Sequence, residues 1–274
     1  AGGKTFVCFN LRYSPVYAKI KEILESGELG RILTVQADEF YGGGRTYFRR
    51  WNRWREKGGG LWITKASHDF DIITWLIGGE QPETVYGVAE RSYYIPKPGA
   101  ADKCRDCPLA YTCPDYTDFR NAKATAKIRE KVGGEPVDLC LYNSGSDTFD
   151  HGMATIRYEN DIFATYTCNV VAGFSDRRIR IGCTKGLVEG SLSRPEVRIL
   201  HRDSFRCEET IDISGLFKGS HGGADDYVID NFVNFAKGEA EPKCRPREAI
   251  VPVAIGLAAT KASDTGAAVN MTAI

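Results

Sequence analysis

A chain of 274 residues with 42% hydrophobic and 26% charged residues has a globular composition and enough length to bury a substantial core. Thirty-six basic and 36 acidic residues cancel, which gives no reason to expect nucleic acid or an anionic membrane as partner. No apolar run is long enough to span a bilayer and no secretory segment opens the chain, while nine cysteines, odd in number and mostly scattered, fit a reducing cytoplasm better than a disulfide scaffold.

Ala1-Gly2-Gly3-Lys4 has no initiator methionine and runs straight into Thr5-Phe-Val-Cys-Phe9. Residues 4–10 therefore read as a strand, and the chain as one cut just before it. Pro15 opens an amphipathic stretch whose Ile20, Ile23 and Leu24 keep helical spacing, stopped by Gly27 and Gly30. Residues 32–40 alternate like a half-buried strand. The triplet Gly42–Gly44 leads into an arginine- and aromatic-rich loop. A second triplet, Gly58–Gly60, precedes a helix expected from about Thr64 to Ile77. Residues 152–157, 162–169, 177–182, 186–191 and 197–201 read as strands, and 225–237 and 247–264 as closing helices. Consecutive strands joined by short Gly or Asn turns imply antiparallel pairing. The expected fold class is α+β: one large, mostly antiparallel open-faced sheet with helices on one face. With no repeat or low-complexity linker, residues 1–274 are expected to form one domain.

Two segments carry chemistry. Cys104-x-x-Cys107-x5-Cys113, with Cys140 further on, places thiols at metal-ligand spacing inside a loop of about 94–140 that has no evident core. A closed structural zinc site is the expectation, an iron–sulfur cluster the weaker alternative, and ordinary reduced thiols the plain one. In the other segment Thr64 is a candidate cap, Lys65 and His68 lie three residues apart on one helix face, and Asp71 follows a turn later. The dipole at a helix start favours neutral imidazole. Neutral histidine beside a lysine and a carboxylate is a proton-transfer set; the alternative is a helix whose polar residues merely cap and solvate.

Gly58-Gly-Gly followed by His68-x-x-Asp71 resembles the glycine segment and histidine motif of the Gfo/Idh/MocA oxidoreductases, the glucose–fructose oxidoreductase and inositol dehydrogenase-like proteins. Asn10-Leu-Arg-Tyr-Ser-Pro15 is similar to that family's entry into its second domain. Tyr47-Phe-Arg-Arg-Trp51, the cysteine loop, Gly182-Cys-Thr-Lys-Gly-Leu187, Gly222-Gly-Ala-Asp-Asp226 and the closing 259–269 segment fit in order. The resemblance implies a dihydrodipicolinate reductase-like C-terminal domain, and it implies what should accompany it. Members begin with a Rossmann domain holding NAD or NADP, followed by a Glu-Lys-Pro loop. This chain contains neither that tripeptide nor a Gly-x-Gly-x-x-Gly turn. The expectation is thus the substrate-binding and oligomerisation half of a larger enzyme, silent by itself, with 1–10 the last strand of a missing Rossmann domain. Where many members carry an aspartate to pair with the histidine, Thr64 stands here, and Lys65 is the candidate replacement.

His68 is then the expected proton-transfer residue at a substrate hydroxyl, with Lys65 and Asp71 beside it. A sugar, inositol or related polyol is the expected substrate. Arg12, Arg45, Tyr47, Arg49, Arg50 and Trp51 are the expected substrate contacts, since they mix hydrogen-bond donors with flat apolar faces. Asp150-His151 and His221 are weaker candidates. A nicotinamide-dependent glycoside hydrolase and a non-catalytic binding module are the alternative functions, and a homo-oligomer is the expected assembly.

Overall fold

The computed structural model describes residues 4–132, 134–202, 207–217, 219 and 221–274. Its nine strands are β1 (Ile32–Tyr41), β2 (Pro82–Glu90), β3 (His151–Tyr158), β4 (Ile162–Asn169), β5 (Ser175–Cys183), β6 (Gly186–Ser191), β7 (Glu196–His201), β8 (Cys207–Asp212) and β9 (Val269–Asn270). They form one sheet in the order β8-β7-β6-β5-β1-β4-β3-β2-β9. The helices are α1 (Pro15–Ser26), the single turns α2 (Arg55–Gly58) and α3 (Leu61–Thr64), then α4 (Ser67–Leu76), α5 (Ala124–Lys131), α6 (Ala224–Lys237) and α7 (Pro246–Thr265).

The sheet is mixed, with one parallel pairing at its centre that the expectation of antiparallel neighbours did not include. At its centre β1 runs parallel to β4, with Val35 beside Ala164 and Glu39 beside Cys168, while β5 flanks β1 antiparallel. A parallel neighbour needs a long crossover, and here the chain between β1 and β4 carries α2 to α5 and strands β2 and β3. No local turn signal could announce it.

Period-2 alternation decides which face is covered. In β3, Gly152, Ala154, Ile156 and Tyr158 are buried while His151, Met153, Thr155 and Arg157 are exposed. In β4, Ile162, Ala164, Tyr166 and Cys168 point the same way. The core lies between this face and helices α1, α4 and α7, and each fully buried Ile or Leu stabilises it by about 1.5–3 kcal/mol. Pro15 begins α1, whose Val16, Tyr17, Ile20 and Ile23 are buried, and Gly27 ends it in the left-handed conformation. Helix α7 presses Ile255, Ala258, Ala259 and Ala262 onto the sheet. A Cβ on Gly87 of β2 would lie 2.9 Å from the Ala259 carbonyl oxygen, so only glycine lets the two elements approach so closely.

Two further expectations need correction. Residues 4–9 are not a strand; Phe6 instead packs against Phe232 and Phe235 of α6, and a 3-10 turn follows at Asn10–Tyr13. The helix expected from Thr64 begins at Ser67. Thr64 donates its hydroxyl to the Gly60 carbonyl inside α3, so it caps nothing. Among the described residues no helix is long and apolar enough to cross a membrane.

Candidate functional site

Helix α4 crosses the inner face of the sheet where β1 and β5 meet, and four charged groups interlock there. Glu39 and Arg177 are cross-strand partners. Arg177 Nη2 lies 2.8 Å from Glu39 Oε1, and its Nε donates to Asp69 Oδ1 at 2.8 Å. Lys65, in the turn before α4, places Nζ 2.7 Å from the same Glu39 oxygen and 3.9 Å from the centre of the Tyr41 ring. The Tyr166 hydroxyl donates to Asp69 Oδ2 at 3.0 Å. All four charged residues are buried. Two carboxylates thus face two cations, and the charges balance. Burial, then the Asp69 carboxylate, push the Glu39 carboxyl upward, against the pull of Arg177 and Lys65.

This cluster borders a cavity of about 340 Å³, lined by Glu39, Tyr41, Lys65, Arg177, Ser193 and His221 among others. His221 enters with a left-handed backbone (φ 50°), and its Nδ1 lies 3.0 Å from the Asp225 carboxylate. His68, in the first turn of α4, sits beside the cluster with its ring edge-on to Phe9 at 5.4 Å. Its Nδ1 is buried without a hydrogen-bond partner among the described residues. Burial pushes its pKa down to about 4, so the imidazole is neutral near pH 7. Chemically, the site offers a fixed cation at Lys65, a carboxylate at Glu39 and a neutral imidazole close by.

The sequence pattern of the Gfo/Idh/MocA oxidoreductase family, C-terminal alpha/beta domain, matches residues 21–271. The chain belongs to this family. It is 29% identical over 259 residues to the oxidoreductase YteT of Bacillus subtilis, a match covering 84% of this chain and 60% of YteT. It also superposes on levoglucosan dehydrogenase in complex with NADH and levoglucosan, with a TM-score of 0.70 at 16% identity over 97% of this chain and 65% of that one. The myo-inositol 2-dehydrogenase of Lactobacillus plantarum gives 0.59 at 16% identity over 96% and 63%. At such identities the superpositions establish a shared fold. The chain spans about three fifths of the length of YteT and less than two thirds of these two structures.

The chain places the expected site residues in different settings. Lys65 lines the cavity; His68 does not, but it feels the charges of Lys65, Asp69, Arg177 and His221 around it. Asp71 does not face His68: it is fully buried and takes Arg12 in a two-pronged pair at 2.7 and 2.9 Å. Arg12 also donates to the Lys243 carbonyl at 2.6 Å and Glu248 at 2.7 Å, so neither residue lines the cavity. The arginine-rich loop divides. Tyr47 packs edge-on to Tyr41, and burial raises its phenol pKa. Arg49 donates to the carbonyls of Leu139 and Asp115 in the cysteine excursion. Arg45, Arg50 and Trp51 are exposed. Asp150 binds the Tyr93 and Tyr94 amides and the ring of His151, which faces outward.

The zinc expectation is not supported. Among the described residues no group of three or more His, Cys, Asp or Glu side chains is arranged to hold a metal ion. Cys104, Cys107, Cys113 and Cys140 are free cysteines bordering a small apolar cavity of about 20 Å³, and burial raises the Cys104 pKa. The excursion is held by other means. Lys103 and Leu139 form an antiparallel bridge, the Cys104 and Cys140 amides donate to Asp138 and Asp102, and Arg105 joins Asp138 to Glu130.

Sequence reasoning missed Glu39, Asp69 and Arg177. A signal for two of them was present: in β1 the inward phase runs Val35, Ala37, Glu39, and in β5 it runs Arg177, Ile179, Ile181. A charge on the apolar phase of a strand must find a partner in the core. Among the described residues no Gly-x-Gly-x-x-Gly turn joins a strand to a helix.

Proposed function

We propose that this chain is the substrate-binding part of an NAD(P)-dependent oxidoreductase acting on a sugar, inositol or related polyol. The observation that carries the reading is the charge-balanced cavity beside a neutral, desolvated imidazole. A neutral polyhydroxylated molecule needs both donors and acceptors and no net charge, and the cavity supplies that set. Lys65 holds a substrate oxygen through its remaining N–H groups. His68, poor at keeping a proton when buried, takes the hydroxyl proton as the carbon is oxidised and returns it in the reverse direction. Hydride exchange is the chemistry a nicotinamide supplies when bound.

The outward face of the sheet supports self-association. Val88 and Met153 are cross-strand neighbours with 47% and 53% of their surface exposed, and Phe163 on β4 is 44% exposed. Such exposed apolar residues on a sheet face are what a second copy covers.

The test is cofactor reduction by the full-length protein against a panel of sugars and inositols. His68→Ala should lower kcat by about 10²–10⁴-fold with a smaller change in KM. Oxidation of a polyol that survives His68→Ala unchanged overturns the assignment.

A further inference from the structure

We propose that Glu39 is the recognition residue of the cavity: its Oε2 accepts a hydrogen bond from a ligand hydroxyl whose neighbouring oxygen is held by Lys65. This makes an uncharged vicinal diol the feature the site selects. The inference rests on the functional reading above and adds to it the atom and the hydroxyl pattern.

The two carboxylate oxygens of Glu39 are in unequal positions. Oε1 receives both nearby cations, Lys65 at 2.7 Å and Arg177 at 2.8 Å. Oε2 is buried with no hydrogen-bond partner among the described residues. The residue as a whole is 2% exposed and lines the cavity. Leaving a buried carboxylate oxygen unpaired forfeits its hydration with no return, and native structures seldom tolerate it. Lys65 and Arg177 together pin Oε1 and so hold the whole carboxylate in place. The cavity is therefore the direction from which a partner arrives.

That partner must bring a hydrogen-bond donor, which narrows its chemistry. An ammonium group or metal cation meets the charges of Lys65 and Arg177 beside the same carboxylate and is repelled. A carboxylate or phosphate brings only acceptors, leaves Oε2 unpaired and sets like charges together. A hydroxyl donates without charge. Lys65 spends one N–H on Glu39 and another side on the Tyr41 ring, which leaves donor capacity for an oxygen next to that hydroxyl. One acceptor and one donor side by side match the two oxygens of a vicinal diol.

Calorimetry on the full-length protein tests this with myo-inositol, D-glucose and D-xylose as probes, followed by the mono-O-methyl ethers of the tightest binder and by D-gluconate. The wild type should lose tenfold or more in affinity for one particular ether, which has lost the donor, and bind gluconate more weakly than the neutral probes. In Glu39→Gln the parent probe should weaken by about tenfold while that same ether barely changes, the non-additivity that marks a direct contact. Circular dichroism and thermal melts check the fold, and Glu39→Asp, which keeps the charge but withdraws it by one methylene, serves if the glutamine variant unfolds. Equal losses for parent and ether in either variant, or preference for gluconate, overturn the role of Glu39 while leaving polyol binding in place. No binding of any neutral probe by the wild type overturns both readings together.

Discussion

Asp71 and Arg12 give the most quantitative prediction, because the structure assigns them to stability. Asp71→Ala removes one partner of a pair in which the side chains are 1% and 3% exposed. Stranding the other charge in the interior costs about 3–5 kcal/mol. Arg12 keeps Glu248 and the Lys243 carbonyl, so the lower end, about 3 kcal/mol, is expected. At about 2–4 °C per kcal/mol for a chain near this size, the melting temperature should fall by about 6–12 °C. Urea unfolding of the wild type, Asp71→Ala, and the double variant Arg12→Met/Asp71→Leu measures it. The double variant should recover most of the loss, since no charge is left buried alone. A loss below about 1 kcal/mol in Asp71→Ala, or lost activity at unchanged stability, refutes the reasoning and returns Asp71 to the chemistry.

Three further outcomes follow from the site and the excursion. The unfolded chain takes up the His68 proton near its ordinary value of about 6.5, whereas the folded chain does so only near about 4. His68 therefore contributes stability that is present above about pH 6.5 and lost as the pH falls toward 4. Comparing urea titrations at several pH values between His68→Phe and the wild type should show a flatter acid limb in the variant, and identical limbs count against a desolvated imidazole. Arg105→Ala takes from the buried Asp138 carboxylate its charged partner and leaves the amide of residue 105, costing about 1–3 kcal/mol, and should open the cysteine excursion to limited proteolysis before the sheet; cleavage at the wild-type rate contradicts this. Thiol titration of the folded protein should modify exposed Cys8 well before Cys168 and Cys244, which are 0% exposed, and simultaneous reaction would mean those interiors are open.

Much of the fold was legible because local chemistry wrote it. Ile162–Asn169 and Gly186–Ser191 match their observed bounds, because alternation in the first and turn residues flanking both leave little choice. α1 and α7 announced themselves with a proline at the first helical position and a glycine just past the end. β2 was missed because Val85, Tyr86 and Val88 put apolar groups on both faces and blur the period. The site was half legible. Lys65 and His68 stand in one segment, but Asp71 finds Arg12 across 59 residues, and Asp69 finds Arg177 across 108. Such pairings depend on the crossover that carries α4 onto β1 and β5, which no local pattern encodes. The cysteine spacing is legible as a loop that gathers Cys104, Cys107, Cys113 and Cys140 around one small apolar cavity, and proximity of this kind does not by itself make a metal site.

A crystal structure of the full-length protein soaked with the tightest-binding neutral probe shows whether the cavity bordered by Lys65, Glu39 and His221 receives the polyol. The probe is expected in that cavity, with one oxygen within hydrogen-bond distance of Lys65 Nζ and another near the imidazole of His68. A probe bound elsewhere, with Lys65 and Glu39 untouched, would rule the cavity out as the polyol site.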